Sequence, residues 1–98
     1  MHVIHWKKQA INDLIKIGKH IALDSPPNAE KLVALIEDKV KPLAEHPNMY
    51  RPGRKRGTRE LVAHEHYIVI YRALTKQVDV LRVKHTSQQW PNAKGDLT

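Results

Sequence analysis

Three short apolar segments follow one another in the last third of the chain, and they constrain the fold more than any other feature. They are residues 57–62 (GTRELV), 67–72 (YIVIYR) and 78–85 (VDVLRVKH). Basic, aromatic and histidine side chains are interleaved with apolar ones, so a half-buried sheet would bury one set and expose the other. The pattern predicts three successive strands whose open face displays cations and aromatic rings. Such a face suits an anionic or a large partner.

Two helices are predicted between a short first strand and these three strands. Residues 3–6 alternate briefly and indicate an edge strand. Apolar side chains then recur at helical spacing from about residue 7 to 23, and again from about residue 25 to 43. Pro26 suits the first turn of the second helix, and Pro42 is expected to disturb its last turn. We therefore predict an α+β fold, β-α-α-β-β-β, in which a two-helix hairpin packs on a small antiparallel sheet.

The faces of the last two strands follow from an assumed turn at residues 75–76. Arg72 would then lie opposite Asp79, and Ile70 opposite Leu81, and side chains that lie opposite each other share a face. The core face, packed against the helices, would hold Ile68, Ile70, Leu81 and Val83. The open face would hold Tyr67, Val69, Tyr71, Arg82 and Lys84. A shift of one residue in this register would exchange the two faces.

Length and composition are those of one domain, residues 1–98. Because there is no cysteine, neither a disulfide framework nor a thiolate metal site can form. No apolar run approaches the roughly 18 residues of a membrane span, and the first residues lack the apolar segment of a signal peptide. We expect a cytoplasmic protein that does not associate with a membrane and binds no metal or cofactor.

Positive charge is concentrated in one loop. The chain has 17 Lys and Arg against 10 Asp and Glu, a formal net charge of +7. Much of the excess lies at Arg51, Arg54, Lys55, Arg56 and Arg59. Such a cluster favours an anionic partner, either nucleic acid or an acidic protein segment. A solvated loop without a partner and a plain nucleic-acid-binding module are the alternatives.

Short motifs along nearly the whole chain resemble one family. They are Trp6 with Ala10 and Asp13-Leu14, Asp24-Ser25-Pro26 followed by Ala29 and Leu32, Gly53-Arg54, the segments 57–62, 67–72 and 80–85, and Gln89-Trp90-Pro91. In this order and spacing they resemble the RelE/ParE superfamily of toxins from type II toxin–antitoxin systems, and the ParE-like branch more closely. The resemblance implies a two-helix hairpin on a small antiparallel sheet, in agreement with the prediction made from periodicity.

The resemblance also implies a toxin that a cognate antitoxin keeps inactive, with two possible targets. ParE-like members stall DNA gyrase on cleaved DNA, whereas RelE-like members enter the ribosome and cut mRNA. Nuclease members commonly carry an Arg three positions before the Tyr of the strand, where this chain has Ile68, and often a Tyr after the C-terminal His, where it has Thr86. These departures favour a gyrase inhibitor that is not an enzyme. A ribosome-dependent mRNA endoribonuclease is the alternative.

Candidate site residues come from both interpretations. A nuclease would draw its catalytic groups from Arg59, Arg82, Lys84 and His85. Contacts with the target or the antitoxin are predicted at Arg54, Arg56, Arg59, Tyr67, Tyr71, Arg82, His85 and Trp90. The trio His64, Glu65 and His66 is predicted to be a polar turn, because a metal site needs three or four convergent ligands.

Overall fold

In the residues that the structure describes, two α-helices pack on one face of a five-stranded mixed sheet, which confirms the predicted α+β class. The computed structural model describes residues 1–88 and Trp90. Its elements are β1 (Val3–Trp6), α1 (Lys8–Ala22), α2 (Pro26–Val40), a 3₁₀ helix (Lys41–Ala44), β2 (Arg51–Pro52), β3 (Arg59–His64), β4 (Tyr67–Ala73) and β5 (Gln77–His85). Gln89 and Pro91 of the predicted tail motif lie outside the described residues.

The helix bounds follow the sequence signals closely. The α2 helix begins at Pro26, because proline has the backbone angle of a helix and lacks only an N–H that a first turn leaves unbonded. It ends at Val40, and the next residues, which include Pro42, form the tighter 3₁₀ turn. Pro42 therefore disturbs the end of this helix as expected, since its ring cannot continue the helical hydrogen bonds. No helix in the described part of the chain is long and apolar enough to cross a membrane.

The sheet has the strand order β1-β5-β4-β3-β2. The last three strands form the predicted antiparallel meander, but β1 pairs with β5 in parallel, with Trp6 opposite Val80. The sheet is therefore mixed, where a purely antiparallel sheet was predicted. The chain reverses direction at each turn from β2 to β5, so β2 runs antiparallel to β1, whereas β5, three turns later, runs parallel to it and lies beside it at the sheet edge.

The predicted strand faces were wrong, and a bulge in β5 is one reason. Arg72 lies opposite Asp79 as predicted, but the register then shifts, so that Ile70 lies opposite Arg82 and Leu81 has no counterpart on β4. An extra residue on one strand displaces every later pair by one position. The second reason is that the helices pack on the face opposite to the predicted one.

Among the described residues, two buried apolar clusters result, one on each face of the sheet. The larger lies under the helices and includes Val69, Tyr71, Val80 and Val83. The smaller lies on the outer face and consists of Ile68, Ile70, Leu81 and Trp90. The side chains predicted to face the helices are thus largely those that Trp90 covers. Tyr67 and Tyr71, predicted on an open face, are buried in the larger cluster.

Candidate functional site

The basic loop between β2 and β3 is a closed turn rather than a loose connection. The Gly53 N–H donates to the Thr58 carbonyl at 2.7 Å, and the Thr58 N–H donates to the Lys55 carbonyl at 3.1 Å. Gly57 has a φ of +82°, which glycine adopts without strain. A side chain at Gly53 would overlap Thr58 Oγ1. Residues 53–58 therefore have a defined shape in which Arg56 is exposed and Lys55 is partly exposed.

A buried carboxylate fastens this loop to the rest of the molecule. Glu60, only 2% exposed, accepts hydrogen bonds from Arg51 Nη2 at 3.1 Å, the Arg54 backbone N–H at 3.0 Å and Trp90 Nε1 at 2.8 Å. The Arg54 guanidinium also lies 3.7 Å from it. Burial by itself would raise the pKa of Glu60. The Trp90 and Arg54 hydrogen bonds and the two guanidinium charges outweigh that effect and hold the pKa below its usual value of 4.5.

Two predicted contact residues hold the segment that precedes β2. Arg59 Nη1 donates to the carbonyl of Tyr50 at 2.7 Å and more weakly to that of Asn48 at 3.4 Å. The Tyr71 hydroxyl donates to the Pro47 carbonyl at 2.8 Å. Burial raises the pKa of the Tyr71 hydroxyl, so it is a neutral donor near pH 7. Both side chains therefore serve the fold first, whatever else they contact.

Arg82 forms a two-pronged ion pair with Asp13 of α1. Its Nε lies 2.8 Å and its Nη2 3.1 Å from the Asp13 carboxylate, which also accepts the Val83 backbone N–H at 2.9 Å. The β1 strand ends opposite Val80, so the later part of β5 has an open edge there, and the carboxylate accepts one of its N–H groups. Lys84, a further predicted catalytic candidate, is buried.

Histidine and tyrosine rings gather where β3 and β5 end and β4 begins, near the helices. His66 and His85 are stacked with centroids 5.6 Å apart, and Tyr67 meets His85 edge-on at 5.2 Å. A cleft of about 390 Å³ opens beside them and is also lined by Lys31 and Leu32. No group of three or more His, Asp or Glu in the described residues is arranged to hold a metal.

His85 is held in one ring orientation. The Ser87 backbone N–H donates to its Nδ1 at 3.0 Å, and the Ser87 hydroxyl lies 2.7 Å from the same atom. A backbone N–H can only donate, so Nδ1 accepts and the hydrogen of the neutral ring is on Nε2. In this tautomer Nε2 is a donor and not a base.

The catalytic candidates do not converge on one point. Arg59 lies opposite Tyr71, whereas His85 lies opposite Tyr67, four residues away along β4. At the rise of a strand this is a separation of about 13 Å. Groups that act on one phosphate must lie within hydrogen-bond reach of it. The Arg59 guanidinium is moreover bound to the Tyr50 carbonyl, so this arrangement does not bring Arg59 and His85 together on one phosphate.

Asp13 and Glu60 organise the site, and sequence reasoning missed both roles. Asp13 is 69 residues from its partner Arg82, and nothing local indicates the pair. Glu60 stands beside Arg59 in the chain, but neighbours on a strand point to opposite faces. Its partners are Arg51, Arg54 and Trp90, which come from other segments. The sequence did contain one signal for the role of Glu60, because it is the only carboxylate in a basic stretch of the chain.

Comparison with known proteins gives one consistent result. The family model described as the ParE toxin of the type II toxin–antitoxin system parDE matches residues 4–90. The Sinorhizobium fredii protein Y4kP is 45% identical over 89 residues, covering 90% of this chain and 92% of Y4kP. Its name describes it as a candidate toxin.

Solved structures show the same fold. A chain of the chromosomal ParDE system from P. aeruginosa superposes with a TM-score of 0.77 at 29% identity, over 87% of this chain and 96% of that one. A chain of the RelBE2 toxin–antitoxin complex from Mycobacterium tuberculosis has a TM-score of 0.64 at 23% identity, over 86% and 96%. A chain of the E. coli DinJ–YafQ complex has a TM-score of 0.54 at 18% identity, over 92% and 99%.

Proposed function

Because this chain belongs to the family of ParE toxins of type II toxin–antitoxin systems, we propose that it acts by poisoning DNA gyrase and that a cognate antitoxin neutralises it. Membership of this family excludes the alternative hypothesis, based on charge, that the chain is a plain nucleic-acid-binding module. The choice of gyrase over the ribosome is the proposal, and it depends on the chemistry that the sheet can perform.

The separation of the catalytic candidates carries the choice of gyrase. Cleavage at a 2′-hydroxyl needs a base for the hydroxyl, cations for the phosphorane charge and an acid for the leaving oxygen. Arg59 and His85 lie beside β4 residues that are four positions apart, Tyr71 and Tyr67. Arg82 is bound to Asp13. A gyrase inhibitor needs only a binding surface and no convergent catalytic groups, and the observed arrangement is compatible with that requirement.

One pair of assays on the purified chain tests the target. We expect inhibition of supercoiling by gyrase, and intact mRNA on translating ribosomes. His85→Ala is the decisive variant, because a nuclease that uses His85 as general acid or base would lose roughly 100- to 10,000-fold in rate. A gyrase inhibitor would lose at most about 1–3 kcal/mol of binding free energy if His85 is a strong contact.

The mRNA endoribonuclease is the second candidate, because the cleft beside His85 places several polar groups together. His64, His66 and Lys31 line it with Tyr67. Ribosome-dependent cleavage that collapses in His85→Ala, without any effect on supercoiling, would replace gyrase with the ribosome as the target.

The antitoxin is expected to cover an apolar groove on the helical side. Ile11 and Ile15 of α1 are 44% and 48% exposed, and together with Trp6 they line a groove of about 540 Å³ against α2. Contiguous exposed apolar surface of this kind marks an interaction site. Related structures are of toxin–antitoxin complexes, which supports an antitoxin as the occupant.

Substitution in the groove tests this partner. Ile15→Glu removes apolar area from the groove and adds a charge, so it should weaken binding of the antitoxin encoded beside the toxin gene by at least tenfold. The half-exposed side chain contributes little to folding, so the thermal midpoint should change little. Ile68→Val on the opposite face is a control that leaves the groove intact. Equal affinity for wild type and Ile15→Glu would exclude this groove.

A further inference from the structure

We propose that the closed loop of residues 53–58 binds the sugar-phosphate backbone of duplex DNA, with Lys55 and Arg56 as the contacting cations. The inference rests on the proposed function, because the DNA concerned is the segment that gyrase holds. It assigns to this loop a partner different from the one in the apolar groove.

Charge is the first observation in support of this surface. Residues 46–64 contain five Lys or Arg and a single acidic residue, Glu60. That carboxylate is buried and is bound by Arg51, Arg54 and Trp90, so it does not face the loop surface as a counter-charge for the other cations. In the part of the chain that the structure describes, the charged groups of Lys55 and Arg56 form no hydrogen bond or ion pair. Two cations are thus left for an external anion.

Shape is the second observation. The loop is closed by the Gly53–Thr58 and Thr58–Lys55 backbone hydrogen bonds, and the Glu60 contacts hold its first residues. A loop that is already ordered loses little conformational entropy when it binds. The display of Lys55 and Arg56 is therefore part of the folded structure and does not have to be formed on contact.

The absence of apolar side chains favours nucleic acid over protein. The loop sequence is Gly53-Arg54-Lys55-Arg56-Gly57-Thr58, which offers no apolar or aromatic anchor. Protein interfaces are organised around such anchors, whereas binding to phosphates needs only positive charge and hydrogen-bond donors. The apolar groove lined by Ile11 and Ile15 lies on the helices and provides what a protein partner requires.

Salt dependence provides the quantitative test. Binding of a fluorescein-labelled duplex of random sequence is followed by polarisation for the full-length chain. Each neutralised phosphate contributes a slope of about −0.9 to log K against log salt, so two or three contacts predict a slope of roughly −2 to −3. Between 50 and 200 mM salt, the affinity should then fall by roughly 10- to 40-fold.

Single-charge variants locate the contact. Arg56→Ala should make the slope less steep by about one and weaken binding to all sequences alike. Lys39→Ala is the matched control: Lys39 is an exposed cation on α2 and forms no ion pair among the described residues. It should leave the slope unchanged. Equal effects of Arg56→Ala and Lys39→Ala would mean that only net charge matters, and would overturn the proposal.

Two further outcomes separate this inference from the proposed function. DNA binding that depends on Arg56, without inhibition of supercoiling, would reject gyrase as the target and leave the loop assignment standing. Inhibition of gyrase that is unaffected by Arg56→Ala, with no binding to duplex DNA, would reject the loop assignment alone. Single-stranded RNA bound more tightly than duplex DNA, or a loss of antitoxin binding instead of DNA binding in Arg56→Ala, would also overturn it.

Discussion

Two carboxylates, Glu60 and Asp13, hold three arginine side chains of this protein in place. Glu60 binds Arg51 and Arg54, which were predicted as part of the basic cluster, and Asp13 binds Arg82, which was predicted on the open face of the sheet. Arg54 and Arg82 can still contact a partner, but their present role is structural. At this scale, the contact roles of Arg56 and His85 remain predictions.

Acid should destabilise the protein through Glu60. Its pKa is below 4.5 in the folded state, so the stability it contributes is fully present above pH 4.5 and is lost as pH falls through the lower, folded value. We expect Glu60→Gln to be less stable than wild type at pH 7 by roughly 2–3 kcal/mol, since hydrogen bonds to a charge are lost. Urea unfolding at several pH values measures the difference. It should narrow steadily below pH 4.5, and a gap that stays constant down to pH 3 would contradict the assignment.

Removal of the Asp13 carboxylate should cost about 2–3 kcal/mol of unfolding free energy. Asp13→Ala deletes the acceptor of both Arg82 and the Val83 backbone N–H. Asp13→Asn is the matched variant, because its amide oxygen can still accept one of these hydrogen bonds, so it should lose less. Chemical denaturation measures both. Equal stabilities of Asp13→Ala and wild type would show that the ion pair contributes nothing net.

Among the secondary-structure elements, proline and glycine lie where a helix begins or ends and where the basic loop turns. Pro26 begins α2, and Pro42 lies in the 3₁₀ turn that follows it. Gly57 provides the positive φ of the basic loop, and Gly53 allows Thr58 to approach closely. Each of these residues acts on the backbone locally, which is why their effects could be predicted without the tertiary structure.

Two glycine substitutions should change stability in opposite directions. Gly18 lies inside α1, and a methyl group there would meet Val33 Cγ2 at 3.5 Å, an ordinary contact. Gly18→Ala should therefore stabilise the protein by about 0.5–1 kcal/mol, because alanine loses less backbone entropy in a helix. Gly53→Ala would overlap Thr58 and should cost roughly 1–3 kcal/mol. Thermal unfolding of the two variants tests the pair, and a loss of stability in Gly18→Ala would contradict the reasoning.

Across the whole molecule, the sheet has an apolar cluster on both faces. The helices cover one face, and Trp90 covers Ile68, Ile70 and Leu81 on the other. The indole also donates to Glu60, so one side chain near the end of the chain links the outer cluster, β3 and the basic loop. Long-range contacts of this kind join segments that are far apart in the sequence.

Trp90 should be among the most sensitive positions of the molecule. Trp90→Ala removes a nearly fully buried ring and should cost about 3–5 kcal/mol. Trp90→Phe retains most of the apolar area and loses the hydrogen bond to the Glu60 carboxylate, so it should cost roughly 1.5–3 kcal/mol. Guanidinium unfolding followed by circular dichroism measures both. If both variants were as stable as wild type, the outer cluster would not contribute to folding.

The fold class, the order of the main elements and the family could all be predicted from the amino-acid sequence. Helical periodicity, strand-like segments and the positions of proline and glycine are local signals, and they predicted α1, α2 and the meander of β3, β4 and β5 within a few residues. Which sheet face the helices cover was decided by tertiary structure. Both faces of β4 are apolar, so its alternation cannot distinguish them, and the bulge after Val80 shifts the register beyond it. The partners of Asp13 and Glu60 were likewise decided only when distant segments came together, because an ion pair depends on proximity in space and leaves no periodic signal in the chain.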